Sequence, residues 1–316
     1  MRWIILLLCV LSLAANAQPP VEKAKDLFDS RKYDEAIPLL NKIEEASKDY
    51  AAARYLLGRI AYDQKKYDES AEFFEQATEA NDKIADYHNW LGNAYGAIAQ
   101  NAGVLKQGML APKMKSAWEK AIALDAKNLD ARFSLIQYYT QAPGFMGGSF
   151  EKAREMANQI KAINPAQGHR AMGIVMTKDK KFAEAEMEYL EMVKVDPAFM
   201  PVLSNFYVNQ KQFDKAFALY EELVKKNPSD MGLLYQIGKT SAVSGMKLER
   251  GEECLRKYLT YSPKQNEPSI AGANMRLAQI YEKRGQKADA QKLYKTALSM
   301  DSKLKEAEEG LQRTSK

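Results

Sequence analysis

Aromatic, small and charged residues recur along this chain at a fixed spacing. The strings Arg31-Lys32-Tyr33-Asp34-Glu35-Ala36 and Lys65-Lys66-Tyr67-Asp68-Glu69-Ser70 are nearly the same and lie 34 residues apart, and Leu57-Gly58 returns as Leu91-Gly92 at that interval. Later segments keep the aromatic and small positions, as Phe182, Ala185 and Tyr189, as Tyr207, Phe213, Ala216 and Tyr220, and as Tyr281, Gly285, Ala290, Tyr294 and Ala297. Pro165, Pro197, Pro228 and Pro263 fall where such segments end, and a ring without an amide N–H stops a helix there. The pattern predicts paired helices repeated in series: small residues let two helices approach closely, and aromatic side chains fill the gaps between neighbours.

A 34-residue period with small and aromatic residues at these offsets resembles the tetratricopeptide repeat. The resemblance implies an all-α fold, a right-handed superhelical solenoid of about eight helix–turn–helix units starting near residues 18, 51, 85, 129, 166, 197, 231 and 271. The units fill residues 18–303, and residues 304–316 form a capping helix whose Lys305, Glu306, Glu308, Glu309 and Arg313, with Lys303 just before it, suit the polar end a solenoid needs. Departures from the pattern are the missing Gly at the eighth position of unit one, Ala61 in place of an aromatic, and Gly251 in place of Ala.

The first residues follow another pattern. Arg2 precedes an apolar run from Ile4 to Leu13, and Ala15-Asn16-Ala17 follows it, the three parts of a secretory signal peptide cleaved after Ala17. The run is too short to span a bilayer, which takes roughly 17 to 25 residues. Residues 1–17 are therefore expected to be a removable address, giving an exported, periplasmic or extracellular protein with no integral membrane span after cleavage. The remaining chain has 299 residues, a formal charge of +4 and Cys254 as its one thiol, expected to be packed in a helix.

Composition agrees with an ordered helical chain. Gly and Pro together make up 28 of 316 residues, fewer than turn-dense β folds or disordered chains carry. The small, interspersed positive charge excludes a nucleic-acid partner as the expectation. Basic residues precede acidic ones at successive turns, as in Lys65-Lys66 before Asp68-Glu69, an order that the dipoles of the two adjoining helices favour.

In tetratricopeptide proteins the first helix of each unit lines a groove that takes a peptide or part of another protein. Carried over to this sequence, the lining positions are Tyr55, Arg59, Asn89, Asn93, Phe133, Gln137, Asn205, Tyr235 and Lys239, with Arg170 and Ile174 in the same rows. Aromatic anchors beside adaptable amides suit peptide recognition. Two units are longer than the period, through residues 101–112 and 142–148. Leu105, Met109, Phe145 and Met146 in these insertions are costly to leave in water, so they either fold back on the solenoid or meet a partner or ligand.

No catalytic, metal or cofactor site is read. The insertions hold no Asp, Glu, His or Cys, His88 and His169 have no second ligand at metal-site spacing, and Pro143-Gly144-Phe145-Met146-Gly147-Gly148 lacks the ending of a phosphate loop. The expected function is that of a non-enzymatic scaffold or adaptor for a protein or peptide partner, in cell-envelope assembly or trafficking. The alternative is an accessory protein holding a small apolar ligand beneath the insertions.

Overall fold

The computed structural model describes residues 19–264 and 266–315; the leader expected over residues 1–17 lies outside them. The described residues form seventeen α-helices, two short 3-10 turns and no strand. The chain divides into two compact units, with Ala185 ending the first and Glu186 beginning the second.

In unit 1 the helices follow as pairs: α1 (Pro20–Asp29) with α2 (Tyr33–Asn41), α3 (Tyr50–Asp63) with α4 (Tyr67–Ala80), α5 (Ala85–Gln100) with α6 (Val104–Leu124), and α7 (Leu129–Gln141) with α8 (Phe150–Ile163). Helix α9 (Pro165–Lys178) packs on α8, and α10 (Phe182–Val195) crosses the division. Unit 2 continues with α11 (Met200–Asn209) on α12 (Phe213–Lys226), α13 (Met231–Ser244) on α14 (Leu248–Tyr258), α15 (Ile270–Lys283) on α16 (Lys287–Met300), and α17 (Lys305–Thr314) closing on α16.

Glycine contacts show why the pairs can close. A Cβ added at Gly58 would lie 2.7 Å from the Phe74 ring, one at Gly92 2.5 Å from Trp118 Nε1, and one at Gly238 2.3 Å from Leu255 Cγ. Each glycine thus lets the second helix of its pair lay a large side chain directly on the first helix's backbone. The resulting core of unit 1 includes Phe74, Leu91, Trp118, Leu135 and Ile160, and that of unit 2 Leu255, Tyr258, Leu277, Ile280 and Tyr294.

The recurring basic residues have a backbone role. Arg31, Lys65, Lys180, Lys211 and Lys247 all have positive φ, between 49° and 62°, and Gly285 does so at 74°. At all of these turns but that of Lys247, the next amide reaches back to close the helix end, as in Lys66 N–H to Ala61 O at 2.9 Å and Gln286 N–H to Tyr281 O at 2.9 Å. The acidic residues that follow, such as Asp68 and Glu69, fall in the first turn of the next helix.

The two long units use their extra residues differently. Of residues 101–112, only 101–103 lie outside helices; the rest lengthen α6 to 21 residues, with Pro112 inside it at the cost of one helical bond to the Gly108 carbonyl. Residues 142–148 form a closed loop around a 3-10 turn (Gly144–Met146). Gly148 N–H and Met146 N–H both bond to Pro143 O, at 3.1 and 2.9 Å, and Ser149 N–H bonds to Tyr139 O at 2.8 Å. The Tyr138 hydroxyl donates to the Met146 carbonyl. A side chain at Gly148 would strike the Ala142 carbonyl, its Cβ only 1.8 Å away, so the loop depends on glycine there.

Candidate binding groove

Helices α5, α7 and α9 of unit 1 border an open groove of about 610 Å³, lined by Asn89, Trp90, Asn93, Phe133, Gln137 and Arg170 among others. Helical periodicity explains the convergence: Asn89 and Asn93, and Phe133 and Gln137, stand four residues apart and so share a face of their helix. Asn93 is the most constrained of the set. Its Oδ1 accepts from Trp118 Nε1 at 3.0 Å and from Ser134 Oγ at 3.2 Å. With the carbonyl oxygen so engaged, the Nδ2 amide has no partner among the described residues and is left to donate. Asn89 is 4% exposed, and its Oδ1 is buried without a hydrogen-bond partner. A buried acceptor in this condition costs about 1–3 kcal/mol. Arg170 lies over the Phe133 ring, 5.1 Å from its centroid, and donates to Gln167 Oε1 at 3.2 Å.

A second cavity, about 360 Å³, adjoins the groove and shares Asn93, Ser134, Gln137 and Gln141 with it. Trp118, Met114, Ala111, Tyr138, Pro143 and Met146 give it an apolar wall. Both long units contribute: α6 supplies one side, and the 142–148 loop supplies Pro143 and Met146. On the same two segments Leu105, Met109 and Phe145 are 82%, 67% and 82% exposed, whereas Met146 is half-buried and lines the cavity. Folding back thus describes Met146 but not the other three.

The remaining expected lining residues are placed elsewhere. Tyr55 stacks on Tyr87 with ring centroids 4.9 Å apart, and its hydroxyl accepts from Arg59 Nη1 at 2.9 Å. Burial raises the Tyr55 hydroxyl above the ordinary phenol range, against the lowering effect of Arg59. Arg59 is itself enclosed by aromatic faces, 3.8 Å from the Trp90 centroid and 5.3 Å from that of Phe28. Its guanidinium therefore ties α1, α3 and α5 together. In unit 2 Asn205 is exposed and Lys239 half-exposed. Tyr235 is 8% exposed and packs on Tyr258 at 5.2 Å, within the core of unit 2. Cys254 is buried at 1% exposure, and burial pushes its thiol up to about 11.

Sequence reasoning passed over Trp90, Ser134 and Gln141. Gln141 was within reach of it, since stepping four residues on from Gln137 along the same helix face leads there. The pairing of Ser134 and Trp118 on Asn93 has no sequence signal, because the residues come from three helices.

Three segments of the chain, residues 21–85, 203–230 and 271–304, match models of the tetratricopeptide repeat. No curated protein matches it in sequence. A tetratricopeptide repeat protein from Parabacteroides merdae is similar in structure at 17% identity, with 94% of this chain and 98% of that chain covered and a TM-score of 0.52. The C-terminal part of a repeat-containing protein from Cytophaga hutchinsonii is similar at 18% identity, covering 92% of this chain and 99% of its own, with a TM-score of 0.47. A thermophilic protein of this kind from Thermus thermophilus covers 60% of this chain and 96% of its own at 17% identity and a TM-score of 0.47. The chain therefore carries tetratricopeptide repeats in these three segments, and its fold is the all-helical repeat fold of that family.

Proposed function

We propose that this protein acts by binding, as an exported interaction scaffold in cell-envelope assembly or trafficking that holds an extended segment of a protein partner in the groove of unit 1. The observation that carries this reading is Asn93: a side-chain amide locked by Trp118 and Ser134 so that its N–H groups are left to donate. An extended peptide offers main-chain carbonyls to such a donor. Gln137 and Arg170 add an amide and a cation on the same face. Export rests on the sequence of residues 1–17, and no helix of the described residues is long and apolar enough to cross a membrane.

A photo-crosslinking amino acid placed at Gln137 tests the groove in the producing cell. It should yield an adduct with a defined partner that the same probe at Lys292, an exposed position of unit 2, does not yield. Asn93→Ala should weaken that adduct. Equal labelling from both positions, or no effect of Asn93→Ala, would remove the groove assignment. N-terminal sequencing of the cellular protein checks export, the expected first residue being Gln18.

A further inference from the structure

Apart from Tyr62 of α3, the apolar cavity beside the groove is lined by residues of the two long units. Met114 and Trp118 come from the lengthened α6, and Pro143 and Met146 from the loop after α7. The loop is hydrogen-bonded into one shape, so Met146 is held at the cavity and Phe145 is held out in water. The segments that build the cavity also leave Leu105, Met109 and Phe145 exposed, which is unfavourable unless something apolar docks there. α6 meets the loop at Gly108, where an added Cβ would lie 3.8 Å from Met146 Cε.

We infer that the cavity is a specificity pocket for one large apolar side chain of the bound segment, whose neighbouring main-chain carbonyl is taken by the Asn93 amide. This inference rests on the groove reading above and adds what that reading lacks, a rule for which segments bind. Three observations select a polypeptide as the occupant. The cavity opens into the groove through shared residues rather than standing apart from it. Asn93 lines both, and it offers a donor at the junction, where a main chain would pass. The lining also includes Gln100, Gln137 and Gln141, amides that match main-chain donors and acceptors and carry no charge. Its volume of about 360 Å³ takes a bulky side chain such as Leu, Met or Phe.

Gly96 provides a direct test. It lines the cavity but not the groove, and an added Cβ would make only ordinary contacts, 3.7 Å from Met114 Sδ and from the Trp118 ring. Gly96→Leu should therefore fill the cavity and leave the fold intact, which circular dichroism and thermal melting check. Met146→Ser, on the loop, serves as the second variant. A randomised short-peptide library displayed on phage is panned against the purified protein, and recovered peptides are resynthesised with a fluorescent label.

The expected result is enrichment of a large apolar residue at one position. Replacing it with Ala should weaken binding about tenfold or more, as should Gly96→Leu in the protein. Against Gly96→Leu, the Ala-substituted peptide should show no further loss. Peptides that bind without an apolar preference, or equally well to both proteins, overturn the pocket and leave the groove reading standing. Failure of any peptide to enrich overturns both. An apolar small molecule extracted from the wild type but not from Gly96→Leu, with peptide binding unaffected, assigns the cavity to that ligand and overturns the peptide pocket.

Discussion

Five cations at the turns between paired helices carry a conformational cost. Arg31, Lys65, Lys180, Lys211 and Lys247 occupy the left-handed region, where a Cβ crowds the following carbonyl by about 1–2 kcal/mol. Gly285 occupies the same kind of turn without that penalty. Replacing Lys65 or Lys211 by Gly should therefore raise the free energy of unfolding, by up to about 1 kcal/mol once the added freedom of the unfolded chain is subtracted. Urea unfolding of each single variant measures this, and a loss of stability would show that the lysine side chains hold contacts worth more than the backbone strain. The basic-then-acidic order of these turns was visible in the sequence, and helix dipoles account for its direction. The left-handed backbone beneath it was not, because lysine gives no sign of positive φ.

Helix pairing turns on glycines whose neighbours cannot move. At Gly92 an alanine methyl would sit 2.5 Å from Trp118 Nε1, and Trp118 is 6% exposed. Gly92→Ala should cost about 1–3 kcal/mol through that clash, exceeding the gain in helix propensity of about 1 kcal/mol. One turn on, Gly96→Ala meets nothing closer than 3.7 Å and should leave the melting temperature unchanged or raise it. Comparison of the two melts separates close approach from intrinsic helix preference; equal effects would dismiss the packing account. The Leu-Gly recurrence in the sequence marked Gly92 as a helix contact. Which residue it admits, and that this residue then fixes Asn93, depends on the long α6 lying across α5.

At the scale of the whole molecule, the polar end anticipated for the array is tied down by two reciprocal ion pairs within unit 2. Arg313 of α17 donates to both carboxylate oxygens of Glu282, at 2.8 and 3.2 Å, while Arg276 donates to both of Glu306, at 2.6 and 3.3 Å. Arg313 holds the Glu282 carboxyl below the usual carboxylate range, and Arg276 does so for Glu306. Carboxylates depressed on folding contribute fully above their unfolded value of about 4.3 and lose that contribution as pH falls through the folded value. Unfolding free energy should therefore fall on acidification below about pH 5. The Glu282→Gln, Glu306→Gln double variant should be less stable at neutral pH and show a shallower fall in acid, read by urea unfolding at a series of pH values. A fall as steep as in the wild type would place the acid sensitivity elsewhere.

The sequence by itself determined the all-helical repeat fold, because a 34-residue spacing of small and aromatic residues repeats the same local packing solution and each unit meets chiefly its neighbours. It also brought Asn89, Asn93, Phe133 and Gln137 together, since helical periodicity places each pair on one face. Only the tertiary structure decided that Arg59 is enclosed by aromatic rings and Tyr235 by core, that residues 104–112 lengthen a helix, and that Met146 lines an apolar cavity while Leu105, Met109 and Phe145 stay exposed. Those outcomes depend on contacts among helices far apart in sequence, which no spacing along a single helix encodes.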